Sequence, residues 1–335
     1  MKPLCYIATE LRPGPWGGGN QFLKMLKKNL KDYVTEDFKL ANCVLFNSHH
    51  FLSIRNPIKF FTFFYLCHGK FLVHRVDGPI FSIREKHFSL DQLINYFSLS
   101  FAQGTIFQSN YSLIDSKKLG LTIPQKTKRI INAPDSDFFH QGELLAHQKI
   151  RLIMTSWSAN KNKGFDFYQY LDENLDFSQY SAVFVGNSPF EFKNIKVLKP
   201  LDSSELAFEL KISDLFLTAS KNDPCSNSVL EALHCGLPVI ALKSGGHPEL
   251  IGEAGELFVT AAEMINKIEL VAKNLSYYRK RIVVKKDREI CAEYFEFFKD
   301  VVGSTRPYFF SFFKVLNLYT KLLLFKIKEK LSIRN

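Results

Sequence analysis

The sequence predicts an α/β protein made of two doubly wound Rossmann-like domains that face a central cleft. Three observations predict it. The chain has 335 residues, enough for two domains of roughly 150 residues each. Short apolar runs alternate with stretches of helical period, the pattern of successive βα units. That alternation loosens once, over residues 132–142, where Pro134, Asp135 and Asp137 interrupt it before a second series begins. The expected division is therefore 1–140, 141–300 and a basic, aromatic segment, 301–335.

In the first series, residues 4–8 read as a strand. Gly17, Gly18 and Gly19 follow, and 20–30 read as a helix with Phe22, Leu23, Leu26 and Leu30 on one face. Further strands are expected at 43–46, 71–76, 105–108 and 129–131, with helices at 90–101 and 111–118. The second series gives strands at 150–154, 182–185, 214–218 and 237–242. Helices at 165–173, 203–210 and 226–234 lie between them. Gly236 and Pro238 predict the end of the last helix: a residue that tolerates left-handed backbone, then one that cannot continue a helix.

Composition narrows the function. At 46 % hydrophobic and 23 % charged residues the chain is globular, not disordered. A formal charge of +11 points to nucleic acid, an anionic membrane or an anionic small substrate. Residues 306–335 hold seven Lys/Arg and one Glu, so six of the eleven net charges sit at one end. That distribution suits an attachment segment better than a nucleic-acid groove, and no nucleic-acid motif is present. The six cysteines form no CxxC and have no zinc spacing, as expected of a reducing compartment. No secretory signal is visible and no run reaches eighteen apolar residues, so a cytoplasmic chain is expected.

The residues suited to chemistry cluster at strand-to-helix turns. After the strand at 214–218 comes Asp223, and Ser226, Asn227 and Ser228 then open a helix. In open parallel sheets ligands bind beyond the carboxyl ends of the strands, and the free N–H groups of a helix start suit a diphosphate. Glu231, one turn inside, is placed to accept hydrogen bonds from the two hydroxyls of a ribose. The competing reading is an ordinary capped helix with a solvated glutamate. After the strand at 150–154, Lys161 and Lys163 offer cations for a diphosphate leaving group, or simply a solvated basic loop. Gly18 and Gly19 allow close approach of backbone to phosphate; the GxGxxG dinucleotide fingerprint is absent. His74, Arg75 and Asp77 end an apolar run as candidate sugar ligands, against the alternative of a structural Arg–Asp pair. Gly245, Gly246, His247 and Pro248 form another strand-to-helix turn. Asp135 and Asp137 make a DxD, but in a stretch where turn-forming aspartates are expected, so no metal is assigned to them.

Taken together these segments resemble the retaining glycosyltransferases of group 1, family four, which have the two-domain GT-B fold. The resemblance is strongest over 150–260 and fainter over 3–140. The family pattern of an acidic residue, seven residues, then Glu is met by Asp223 and Glu231, with Asp where the family usually has Glu. The helix end Ala232 to Val239, the turn Gly245-Gly246-His247-Pro248-Glu249, the segment Asn132 to Phe139 and the N-terminal glycines match further family features. The resemblance implies that Glu231 holds the ribose, Asp223 the region of the donor sugar, and Lys163, followed by Gly164, the diphosphate. Where the family often has an Arg, five residues before that Lys, this chain has Ser158, so Lys161 is the candidate second cation. His74 is the candidate for the histidine that the family sets against the sugar. The implied reaction, of hexosyltransferase type, retains anomeric configuration and requires no metal or other cofactor.

Residues 306–335 place Lys314, Lys321 and Lys328 on one helical stripe and Phe312, Leu316, Tyr319 and Leu323 on another, the pattern of a helix lying at an anionic membrane surface. The alternative is a terminal helix packed on the fold. The sequence thus predicts a cytoplasmic glycosyltransferase, or one peripheral on the inner face of the membrane, that uses a nucleotide-sugar donor. Its acceptor is expected to be a glycan or a lipid-linked carrier in the synthesis of a surface polysaccharide or lipopolysaccharide. Three readings stand against it: a catalytically silent sugar-nucleotide-binding or scaffold protein, a GT-B enzyme of another activity, and, third, a nucleic-acid binder, for which no motif is present.

Overall fold

The computed structural model describes residues 2–14, 16–53, 56–143 and 148–332. In chain order the elements are β1 (Cys5–Ile7), α1 (Gly18–Asn29), β2 (Cys43–Asn47), α2 (Pro57–Leu66), β3 (Phe71–Val76), α3 (Ile80–Arg84), α4 (Phe88–Ser100), β4 (Gly104–Phe107), α5 (Asn110–Lys118) and β5 (Thr127–Arg129). They continue as β6 (Ile150–Ser156), α6 (Phe165–Asn174), β7 (Tyr180–Gly186), β8 (Lys196–Leu198), α7 (Ser203–Lys211), β9 (Leu215–Thr218), α8 (Asn227–His234), β10 (Val239–Leu242), α9 (His247–Ile251), β11 (Gly255–Phe258), α10 (Ala261–Lys273), α11 (Leu275–Arg279), α12 (Asp287–Ser304) and α13 (Phe312–Ser332).

The chain divides into two compact units. One comprises 1–10, 27–131 and 290–335, the other 11–26 and 132–289. This departs from the division at 140 and 300 for a physical reason. Phe139 is buried in the core of the second unit, and Ser136 N–H donates to Asp287 at 3.2 Å, so residues 132–140 belong there. At the other end, α12 brings Phe297 and Val301 so close to Gly104 that a Cβ on the glycine would lie 2.6 Å from Val301. Of the last thirty residues, those described, 306–332, form no separate segment. Their α13 packs on α2 and α4 and buries Val315, Leu318 and Leu322 among Phe60, Phe64, Phe97 and Phe101.

In the N-terminal unit five parallel strands lie side by side in chain order, β1 to β5, without a reversal. All six residues of β3 are buried, as expected of a central parallel strand covered on both faces. The turn after β3 is fixed by Asp91 of α4, which accepts hydrogen bonds from the N–H groups of Ile80 and Phe81 at 2.7 and 2.8 Å. It thereby caps α3, whose own N-cap, Pro79, offers no side-chain acceptor.

The C-terminal unit is doubly wound. Its six strands run in the order β11-β10-β9-β6-β7-β8, so the chain moves outward through β7 and β8 and then returns to the other side of β6. Alternate residues of each strand feed two separate cores. Leu152, Met154, Leu215, Leu217 and Ile240 pack with α6 and α10 on one face. Ile153, Phe216, Val239 and Ala241 pack with α7 and α8 on the other. Each such side chain contributes about 1.5–3 kcal/mol through removal from water. α8 ends as the sequence predicts: Gly236 takes φ 86°, and Leu237 N–H bonds back to Ala232 O at 3.0 Å. The periodicity reading does not include β8 and β11, the two edge strands of this sheet, or helices α10 and α12. Among the described residues no helix is long and apolar enough to cross a membrane.

Candidate active site

The strand reversal in the C-terminal unit falls between β6 and β9, and a crevice opens beyond the carboxyl ends of strands at such a point. Here the two loops leaving those strands carry the charged groups. After β6, residues Lys161–Lys163 form one 3-10 turn, closed by Gly164 at φ 74°. A Cβ at position 164 would stand 2.3 Å from the carbonyl oxygen of Ala219, just after β9. Only glycine lets the two loops approach so closely. Lys163 Nζ consequently reaches Asp223 Oδ2 at 3.2 Å, with both side chains still partly open to solvent.

Asp223 is held by its backbone. Gly246 N–H donates to the Asp223 carbonyl at 2.8 Å. Asn222, at φ 55°, donates its N–H to Ser244 Oγ at 2.9 Å. A Cβ on Gly245 would lie 2.3 Å from Asp223 O, and one on Gly246 2.4 Å from Pro224 O. The two glycines thus brace the Asp223 loop from beneath. Neither glycine lines the two cavities at this site; what the geometry shows is their support of the loop that carries Asp223.

Two adjoining cavities of about 390 and 210 Å³ meet at Gly18, Asn227 and Glu231. The smaller is lined by Lys163, Asp223, Ser226, Asn227 and Ser228 as well. Ser226 precedes α8 without making a side-chain cap; its Oγ lies 3.0 Å from Ser228 Oγ instead. The first turn of α8 therefore presents its N–H groups and the positive end of its dipole to this cavity. Glu231 is one turn further in. Burial pushes its carboxyl up to about 8, although part of the residue still meets the cavity. Gly18 is required where α1 begins: a Cβ there would lie 2.2 Å from Asn227 Nδ2. Asn227 is fixed from its other side, its Oδ1 accepting from Asn132 Nδ2 at 3.0 Å.

Residues 173–293 match the model of the family described as Glycosyl transferases group 1. The chain carries a glycosyltransferase domain. Its matched segment contains Asp223, α8 and Glu231 and stops short of the Lys163 turn. Among solved structures it resembles HepE of Anabaena in complex with UDP-glucose, at 15 % identity and TM-score 0.64, over 90 % of this chain and 98 % of that one. It also resembles the sucrose-phosphate synthase of Thermosynechococcus elongatus, at 12 % identity and TM-score 0.62 over the whole of both chains. A third likeness is AviGT4, a glycosyltransferase involved in avilamycin A biosynthesis, at 12 % identity and TM-score 0.63 over 90 % and 99 % of the two chains. At these identities the likeness establishes the GT-B fold. No curated protein matches the chain in sequence.

Of the residues expected in the transferase site, Gly18, Lys163, Asp223, Ser226, Asn227, Ser228 and Glu231 line the smaller cavity together. Gly19 and Lys161 do not. Gly19 has open space around it, and Lys161 stands on the exposed side of its turn. His74 is enclosed in the N-terminal unit with no exposed surface. Its Nε2 lies 2.7 Å from the Ser48 carbonyl and its Nδ1 2.7 Å from Ser98 Oγ. Burial pulls its pKa down to about 4, so it is a neutral core histidine. The accessible group at the end of β3 is Asp77, held by Arg75 and by Gln108 Nε2, the latter at 2.9 Å. The Asp135 and Asp137 pair makes a turn, with Asp137 N–H donating to Asp135 Oδ1 at 3.1 Å. Among the described residues no group of three or more His, Cys, Asp or Glu is arranged to hold a metal ion.

Three contributors escaped the sequence reading. Gly186 ends β7 at φ 133°, and a Cβ there would come within 1.9 Å of Ser156 O. Trp16 and Trp157, with ring centroids 5.9 Å apart, form an aromatic wall of the smaller cavity, and the Arg12 guanidinium lies 4.5 Å over the Trp16 ring. The signal available was their position: Trp157 directly follows β6, and Trp16 directly precedes the glycine run.

Proposed function

We propose that the chain transfers a sugar from a nucleotide-sugar donor to a glycan or lipid-linked acceptor, with retained anomeric configuration and without a metal. The observation that carries this reading is the convergence, in one cavity, of a lysine, an uncapped helix start and a desolvated carboxyl one turn inside that helix. These are the groups that a nucleoside diphosphate requires: donors for its phosphates and an acceptor for its ribose hydroxyls. In the proposed reaction the bond between the anomeric carbon and the β-phosphate oxygen breaks while the bond to the acceptor oxygen forms. The acceptor proton passes to the departing diphosphate, which leaves as nucleoside diphosphate. Lys163 and the N–H groups of α8 would stabilise the charge that builds on that leaving group. Asp223 would face the donor sugar. The matched family and the UDP-glucose named with the Anabaena structure support the donor class.

The test is nucleoside diphosphate release from a panel of UDP- and GDP-sugars, with and without EDTA, for wild type and Glu231→Ala. Release from one donor, insensitive to EDTA and lost in the variant, is expected. Sensitivity to EDTA would refute the metal-free mechanism, and failure of calorimetry to detect binding of any nucleotide-sugar would refute the reading as a whole. Ser158, in place of an arginine, favours one rival, a silent binder. Donor binding without turnover, in the presence of a range of acceptors, would support that rival.

A further inference from the structure

Helix α13 carries two apolar faces. One holds Val315, Leu318 and Leu322, buried in the core of the N-terminal unit. At about 100° per residue, the opposite side gathers Phe312, Leu323, Leu316, Ile327, Phe313 and Leu324 into a continuous arc of about 120°. This second face is open: Phe313 is 81 % exposed, Leu324 and Ile327 53 % each, and Leu316 40 %. Phe309, just before the helix, is 77 % exposed. The Phe61 and Phe312 rings, 5.4 Å apart, join the arc to α2, where Ile58 and Tyr65 are also exposed. An apolar surface of this extent marks an interaction site on a soluble domain.

The charges beside it select the partner. Lys314, Lys321 and Lys328 recur every seventh residue along one margin of the arc, and Lys326 stands beyond the other. Apolar side chains in the middle with lysines on both margins match the depth profile of a lipid headgroup layer. The rings and leucines enter the acyl boundary, while the ammonium groups reach sideways to phosphates. A helix tied into the protein by Val315, Leu318 and Leu322 cannot insert across a bilayer; it can only lie along one.

We propose that this face of α2 and α13 docks the chain on an anionic lipid bilayer. The inference is independent of the donor reading, since none of these residues lines the cavities of the C-terminal unit. The test is co-sedimentation of the full chain with phosphatidylcholine vesicles, with or without about 30 % phosphatidylglycerol. Binding to the anionic vesicles is expected, weakening as salt rises and the lysine–phosphate attraction is screened. Replacing Lys314, Lys321 and Lys328 by Gln should lower partitioning on the order of a hundredfold. Phe313→Ser with Leu324→Ser should abolish it, with the thermal unfolding midpoint and nucleotide-sugar binding unchanged, because both side chains already face solvent. No binding of wild type to anionic vesicles would overturn the proposal, as would equal binding by both variants. A wild-type dimer in sedimentation velocity that the Phe313/Leu324 variant dissociates would also overturn it, since a second copy would then be the occupant.

Discussion

Replacing Glu231 by Gln should stabilise the empty C-terminal unit, and the effect should depend on pH in a defined way. The carboxyl has its pKa raised by burial from 4.5 to about 8. An acid whose folded pKa is raised loses stability for the fold as pH climbs from its unfolded value, and the loss levels off above the folded value. Between those limits the unfolded chain has released a proton that the folded chain retains. Integrating over that window gives an upper limit of about 4 kcal/mol at pH 8 and under about 1 kcal/mol at pH 5. Because the residue still meets the cavity, roughly half of this is the working expectation, ~2 kcal/mol at pH 8. Gln fills the same space and cannot ionise, so it escapes the cost. The assay is urea unfolding without nucleotide, followed by tryptophan emission; both tryptophans, Trp16 and Trp157, lie in this unit, so the signal reports it alone. The variant should be the more stable at pH 8 and nearly equal to wild type at pH 5. Equal stability at pH 8, or a more stable wild type, would show that Glu231 is ionised and partnered in the empty site, and the desolvation argument would fail.

Three further outcomes follow from the geometry. Because the only two tryptophans line the smaller cavity, titration with a bound nucleotide-sugar should change the intrinsic emission, and calorimetric binding without any spectral change would contradict their placement. Gly164→Ala should cost at least about 2 kcal/mol in the same unfolding assay, since position 164 combines φ 74° with a backbone contact at 2.3 Å; a neutral effect would mean that the Lys163 turn is placed differently. His74→Ala should lower the stability of the N-terminal unit by about 2–4 kcal/mol, seen by circular dichroism, because it leaves a cavity and breaks two buried hydrogen bonds. It should leave the affinity for donor unchanged, and a selective loss of donor binding would return the histidine to the site.

The C-terminal unit was legible because its signals are local. Each strand alternates between two buried faces and reads as an apolar run, and the turns that follow are punctuated by Gly164, Pro224, Gly236 and Gly245. What sequence does not carry is the direction in which a buried residue points. His74 lies on a strand buried along its whole length, so periodicity could not distinguish an inward from a ligand-facing side chain; packing against Ser98 and Phe97 decides it. Gly245 and Gly246 read from sequence as a strand-to-helix turn; that this turn closely approaches the Asp223 loop is visible only in three dimensions. The unit boundaries were hidden for a related reason. Residues 11–26 and 290–335 join their units through contacts between distant parts of the chain. In α13 the sequence places Phe312, Leu316, Tyr319 and Leu323 on one stripe; of these Tyr319 packs against the core, whose fully buried contacts from this helix are Val315, Leu318 and Leu322. A helix that is apolar on two sides does not announce which side is covered.

The Lys163–Asp223 pair bears on how one cavity serves both an empty and a loaded state. At 3.2 Å, with side chains 31 % and 20 % exposed, the pair is partly hydrated and worth no more than about 1 kcal/mol. It suffices to keep the lysine at the cavity wall and is weak enough to be exchanged. A diphosphate offers Lys163 greater charge than one carboxylate and also engages the N–H groups of α8, so on the proposed reading the lysine moves to the phosphates and Asp223 is released toward the sugar. The backbone of Asp223 does not need to move, because Gly246 N–H and the Asn222–Ser244 contact hold it from below. This gives Gly245 and Gly246 a structural role: they fix the carboxylate at the distance from which one lysine can serve either partner. It also gives Asp223, where the resembled family has the longer Glu, a consequence. The shorter side chain holds Lys163 close to its own loop, and the restoring methylene in Asp223→Glu should loosen the pair in the empty site.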